Sequence, residues 1–241
     1  MSPLRNPAFD EIVSDSLSDV PVPSYLNDTY WWAYVHPRAV RFFERQWLVN
    51  LILWGNFKKL RDAALDEIGA TFTGRTLQLA CVYGDFSEQI VSRLAPGADL
   101  HVVDVLPIQL RNLQKKLPDD AAVTLHRYDT SALGFDNASY DRAIIFFLLH
   151  EQPEAVRRKT LSEALRVVKP GGKIVIVDYH LPRRLHPLRY LFRPVLHVLE
   201  PYALDLWNHD LSTWLPESVH EDQLQREYFG GGLYQKVVIT V

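Results

Sequence analysis

The chain has 241 residues, with 26 Lys and Arg against 29 Asp and Glu, a net charge of −3. That length suits one α/β domain with an elaboration, and the charge argues against a nucleic-acid partner. Cys81 is the single cysteine, which excludes an internal disulfide and suits a reducing compartment. Residues 1–18 show no basic region followed by an apolar core, and the longest apolar run, Trp47 to Trp54, is broken by Asn50. No signal peptide and no membrane span of about 20 residues are expected, so the expected location is cytoplasmic.

In chain order, residues 1–24 read as a loose leader ending in Pro21-Val22-Pro23. Residues 25–70 are aromatic-rich and helical in pattern, close at Gly69, and read as a helical cap over a substrate. Tyr30, Trp31, Trp32, Tyr34 and His36 are too many large rings to face one core. They read either as a packing layer or as the walls of a flat apolar pocket, because aromatic faces stack on planar rings.

From Gly74 the pattern alternates: strand 76–81, helix 86–94, strand 99–104, helix 107–117, strand 122–127, strand 141–147, helix 153–168 and strand 173–178. Continuous apolar runs such as Ile174-Val175-Ile176-Val177 suit strands covered on both faces. Lys169-Pro170-Gly171-Gly172 reads as a helix stop and turn. Residues 181–220 form an insertion, and Gln225 to Phe229, Gly230-Gly231-Gly232 and Tyr234 to Val241 read as a hairpin. The expected fold class is a doubly wound, Rossmann-like α/β sheet over residues 71–241, with five parallel strands and a C-terminal antiparallel hairpin. This arrangement resembles the class I S-adenosylmethionine (SAM) methyltransferase fold.

In such folds ligands bind beyond the carboxyl ends of the central strands. The first strand runs from Thr76 through Ala80 into Val82-Tyr83-Gly84-Asp85, a turn that is ordinarily glycine-rich so that backbone approaches the ligand. Here only Gly84 remains. Val82 and Tyr83 either pack as ordinary apolar residues or displace the methionyl end of the cofactor and select against methyl transfer. Asp85 is either a helix cap or a ligand contact. Asp104, followed by Val105, ends the second strand and is placed to accept from ribose hydroxyls. Asp129, followed by Thr130, lies past the third strand, within reach of an adenine amino group.

His150-Glu151 follows the fourth strand, and Asp178 and His180 end the fifth. They read as a divalent-metal or acid–base group, or else as a helix-entry network and a turn histidine. Residues 181–193 mix arginines with Leu, Tyr and Phe. That composition suits either an anionic lipid interface or a basic surface helix. An aromatic pocket beside such a segment points to a planar, lipid-soluble substrate such as a quinone.

Tyr30-Trp31-Trp32-Ala33-Tyr34-Val35-His36-Pro37, Arg41-Phe42-Phe43-Glu44-Arg45-Gln46, Ala80-Cys81-Val82-Tyr83-Gly84-Asp85, Leu149-His150-Glu151-Gln152-Pro153 and Val177-Asp178-Tyr179-His180 together resemble the rhodoquinone biosynthesis proteins of the RquA type. The likeness runs from about Tyr25 to the C-terminus. It implies an enzyme that converts ubiquinone to rhodoquinone for anaerobic respiration by replacing a ring methoxy group with an amino group. SAM would supply the nitrogen, and a divalent metal, manganese, would assist.

On that reading Asp104 and Asp129 hold the nucleoside, and Val82 and Tyr83 set the cofactor pose, with Tyr83 counted among the catalytic residues. Tyr30, Trp31, Trp32, Tyr34 and His36 line the quinone site. His150, Glu151, Asp178 and His180 supply the metal ligands, and His150 or His180 the base, because an ordinary imidazole titrates near neutrality. A peripheral contact with the inner face of the cytoplasmic membrane goes with it. The alternatives are a conventional SAM-dependent quinone or phenol methyltransferase, and a non-catalytic quinone-binding protein on a degenerate methyltransferase scaffold.

Overall fold

The computed structural model describes residues 20–241. The leader expected over residues 1–24 therefore lies, up to residue 19, outside the described residues. Seven strands form one sheet: β1 (Arg75–Leu79), β2 (Asp99–Val103), β3 (Val123–His126), β4 (Tyr140–Phe146), β5 (Val168–Tyr179), β6 (Leu224–Phe229) and β7 (Tyr234–Thr240), in the order β3-β2-β1-β4-β5-β7-β6. The first five are parallel, and β7 runs antiparallel to both β5 and β6. The expected α/β class, parallel sheet and closing hairpin are all present.

The central strands are buried on both faces: Leu77, Leu79, Val102, Ile144, Ile145 and Val175 have no exposed surface. β1 sits between β2 and β4, so strand order reverses there, and a crevice opens beyond Leu79, Val103 and Phe146.

Local chemistry sets the strand ends. β1 stops at Leu79, two residues earlier than its pattern suggests, because Ala80 takes φ +70 and turns the chain out of the ladder. The Lys169–Gly172 segment is not a free turn but part of β5. Its pairing with β4 slips between Tyr140↔Val168 and Arg142↔Lys173, as at a bulge. At Gly172 an added Cβ would lie 2.6 Å from the Asp141 carbonyl oxygen, so only glycine passes there.

Residues 25–70 form a chain of short helices: α1 (Ser24–Thr29), a π-helical turn (Trp31–Val35), α2 (Pro37–Phe43), α3 (Gln46–Ile52) and the longer α4 (Phe57–Ile68). α4 buries Phe57, Leu60, Ala64, Leu65 and Ile68, the apolar stripe of a 3.6-residue period, and ends at Gly69 with φ +92. The crossover helices are α5 (Phe86–Val91), α6 (Pro107–Gln114) and α7 (Glu154–Val167), the first two shorter than their patterns suggest. The insertion carries α8 (Leu188–Leu199) and α9 (Ala203–Asn208). No helix among the described residues is long and apolar enough to cross a membrane.

Candidate functional site

Two adjoining cavities occupy the crevice. The smaller, about 50 Å³, lies beyond β1, β2 and β3 and is lined by Ala80, Asp104, Val105, Asp129 and Thr130. Tyr25, Leu26 and Tyr34 from the N-terminal layer close it. Asp104 holds its mouth together. Its Oδ2 accepts the Cys81 amide at 2.9 Å and its Oδ1 accepts the Leu106 amide at 2.8 Å. Burial raises this carboxyl to about 6, against the pull of those two amides. Asp129 Oδ1 accepts from the Ser131 amide at 2.8 Å. Each carboxylate oxygen still has capacity for a second donor, such as a ribose hydroxyl or an adenine amino group. Thr130 is buried, and its Oγ1 lies between Gln152 and Thr160.

The loop after β1 is clamped. The Tyr83 ring stacks between Tyr34 (5.8 Å) and Phe43 (6.2 Å). Its hydroxyl donates to the Ala33 carbonyl at 2.9 Å and accepts from Gln109 at 2.8 Å. Val82 faces the larger cavity. Gly84 has φ +82, and a Cβ there would lie 2.9 Å from the Phe57 ring. Its amide donates to Glu44 Oε1 at 3.2 Å, and Lys116 bridges Glu44 and the Gly84 carbonyl, 2.6 Å from each. A protein carboxylate thus takes up the Gly84 amide of this loop. Asp85 does not cap α5; it pairs with Arg61 instead.

The larger cavity, about 480 Å³, lies between the N-terminal layer and α8 and has an almost entirely apolar wall. Tyr30, Trp32 and Tyr34 line it. Trp31 and His36 do not: Trp31 is exposed, edge-on to His36, and His36 is spent as the cap of α2, where Nδ1 accepts the Arg38 amide at 3.2 Å.

At the inner end of this cavity a short helical turn, Leu149–Glu151, brings His150 and Glu151 against Asp178. Asp178 Oδ2 accepts the Leu149 amide at 2.8 Å, while Oδ1 lies 3.0 Å from His150 Nδ1. His150 Nε2 faces Glu200 at 3.4 Å and Glu151 at 3.7 Å. Burial alone would lower His150, but Asp178, Glu200 and Glu151 outweigh it and raise it to about 9. Burial raises Glu151 to about 8 despite the imidazolium beside it. These neighbours favour the protonated imidazole, a form suited to donating a proton.

The expected metal set does not converge. His180 is held by the Gly232 carbonyl at 2.8 Å and packs at a tilt against the Tyr228 ring, away from the cavity wall. Both Asp178 oxygens are taken by backbone amides and by His150. Among the described residues no three His, Cys, Asp or Glu side chains are arranged to hold an ion.

Sequence reasoning missed Glu44 and Glu200. Glu200 is half-buried, and its Oε2 atom is shielded from solvent without a hydrogen-bond partner. A signal was present. Glu44 is the only acid between Asp28 and Asp62, and Glu200 the only one between Asp178 and Asp205, each inside a basic, apolar stretch.

A family model described as a methyltransferase domain matches residues 76–172. The demethylmenaquinone methyltransferase of Renibacterium salmoninarum is 30% identical over 201 residues, which cover 76% of this chain and 81% of that protein. The ubiquinone/menaquinone biosynthesis C-methyltransferase UbiE of Geobacter sp. (strain M21) is 30% identical over 138 residues, 56% of this chain and 58% of that one. Among solved structures, a SAM-dependent methyltransferase from Aquifex aeolicus superposes with a TM-score of 0.55 at 16% identity, covering 86% of this chain and 99% of that one. The chain belongs to the class I SAM-dependent methyltransferase family.

Proposed function

We propose that this protein is a SAM-using transferase acting on a quinone, and that the group it transfers is the amino nitrogen and not the methyl. The product would be an aminoquinone of the rhodoquinone kind, made from ubiquinone. The quinone assignment is supported by the apolar 480 Å³ cavity, which is in the usual range for a ligand of that size, and by relatives named as quinone methyltransferases. The choice of nitrogen is carried by the loop after β1. Tyr83 is fixed between two rings and Glu44 sits on the Gly84 amide, where a glycine-rich turn would leave the backbone open to a ligand. A cofactor tail pushed aside presents a different atom to the substrate, and a displacement of about 1 Å is enough to change a rate a hundredfold.

The chemistry asked of the chain is addition and elimination at an electrophilic ring carbon. SAM, when bound, would supply the nitrogen: its amino group would replace the methoxy group, which leaves as methanol. Loss of the Cα proton with two electrons passing to the quinone ring, followed by hydrolysis by water, would break the Cα–N bond to leave the reduced aminoquinone and a 2-oxo acid. Tyr30, Trp32 and Tyr34 give the ring a flat apolar wall and exclude water. The His150 imidazolium donates toward a quinone carbonyl and stabilises the negative charge that develops there. Glu200, raised by burial and facing His150, is placed to exchange that proton. The expected metal pool does not fit an ion as arranged among the described residues.

Methyl transfer to a quinone is the second reading, and the names of the relatives favour it. One experiment separates the two. The protein is incubated with a short-tailed ubiquinone and SAM carrying nitrogen-15 in its amino group and deuterium in its methyl group, with and without added manganese. A product that gains nitrogen-15 and no deuterium is expected. A deuterated methyl on the quinone would overturn amination and leave quinone methylation standing.

A further inference from the structure

A quinone cavity does not by itself account for the apolar surface around its mouth. α3 leaves Trp47 58% and Leu51 63% exposed, and Trp54 follows it on the same side of the cavity. α8 buries only Phe192 and Leu196, while Leu191 is 67% and Val198 75% exposed. The two segments are neighbours, since the Trp54 ring meets Phe192 edge-on at 6.0 Å. Leu51 and Ile52 from one side and Val195 and Leu199 from the other form the cavity rim, so the outer apolar surface runs into the cavity without a polar break.

Charge says what covers this face. Residues 37–59 carry five Lys and Arg and one acid, and residues 181–199 carry four Arg and no acid, in a chain whose net charge is −3. The one acid, Glu44, is turned inward to Lys116 and Gly84. Arg41, Lys58, Arg183, Arg184 and Arg193 are exposed around the apolar residues. Large apolar anchors within a fringe of cations match the interface of an anionic bilayer. A second copy of the chain fits poorly, because a self-complementary contact would set the two basic fringes against each other.

We propose that α3 and α8 form a two-helix wedge that seats the protein on an anionic lipid surface, with the cavity mouth turned to the acyl region so that substrate enters from lipid. The direction of entry rests on the quinone reading; the seating does not.

The test is co-sedimentation with vesicles of phosphatidylcholine alone and of phosphatidylcholine mixed with phosphatidylglycerol. Binding to the anionic vesicles, weakened by salt and accompanied by a blue shift of tryptophan fluorescence, is expected. Leu191→Glu with Val198→Glu, neither on the cavity wall, should lower vesicle partition by about tenfold or more while leaving binding of a soluble short-tailed quinone unchanged. Arg183→Glu with Arg193→Glu should remove the preference for anionic lipid. Failure of the folded wild-type chain to bind anionic vesicles would overturn the wedge. So would a dimer in sedimentation equilibrium that the Leu191 and Val198 substitutions dissociate, since the face would then belong to a second copy. Vesicle binding without quinone binding would leave the wedge standing and sink the substrate reading.

Discussion

His150 and Glu151 hold protons at the inner end of an apolar cavity, with the half-buried Glu200 facing His150. His150 is raised to about 9 and Glu151 to about 8, so both hold protons in the folded chain that they release when it unfolds. The His150 contribution is complete below its ordinary value of 6.5 and is lost as the pH climbs through 9. Glu151 acts in the same direction, its favourable protonation being lost as the pH rises toward 8. The unfolding midpoint is therefore expected to fall between pH 6.5 and 9. In Glu200→Gln the fall should be shallower, because removing that carboxylate lowers His150. A midpoint that stays level across this window in the wild type would refute the assignment.

Elements are locked to one another by a few buried groups with many partners. Arg157 on α7 has no exposed surface, yet it reaches three carbonyls: Leu149 at 2.9 Å, Gln152 at 2.9 Å and Tyr202 at 3.0 Å. It also lies 4.4 Å over the Trp214 ring. It therefore joins the turn that carries His150 to the start of α9 in the insertion. Arg157→Ala would orphan those carbonyls and unpack Trp214. A loss of about 3–5 kcal/mol in urea-induced unfolding is expected, as for breaking other buried charged contacts. A loss under about 1 kcal/mol would mean that the insertion is held elsewhere.

On the scale of the whole molecule, the N-terminal layer is a lid over both cavities. The nucleotide-side cavity, about 50 Å³, is far below the ~300–1,000 Å³ of ordinary ligand sites. Tyr25, Leu26 and Tyr34 must therefore shift before a cofactor enters. Hydrogen exchange over Ser24–Val35 is expected to be fast in the free protein beside the slow central strands, and to slow when SAM is added. Equal exchange with and without SAM would show that the cofactor enters by another route.

The pattern of apolar runs and turns was enough to read the parallel sheet and its closing hairpin, because strand and helix periods are local and the central strands are apolar on both faces. The same reading placed Asp104 and Asp129 at strand ends, since topology alone puts such positions on the ligand side. It did not reach the destination of side chains that meet partners far along the chain. Trp31 and Trp32 are adjacent, yet Trp31 faces water and Trp32 the cavity, because a π-helical turn sets their directions. His180 lies two residues from Asp178 and follows the hairpin, while Asp178 holds His150. Glu44 meets Gly84, and Glu200 meets His150, only when the sheet has formed. Periodicity determined the framework; burial and the desolvation of a few charges, which depend on distant contacts, decided the chemistry of the site.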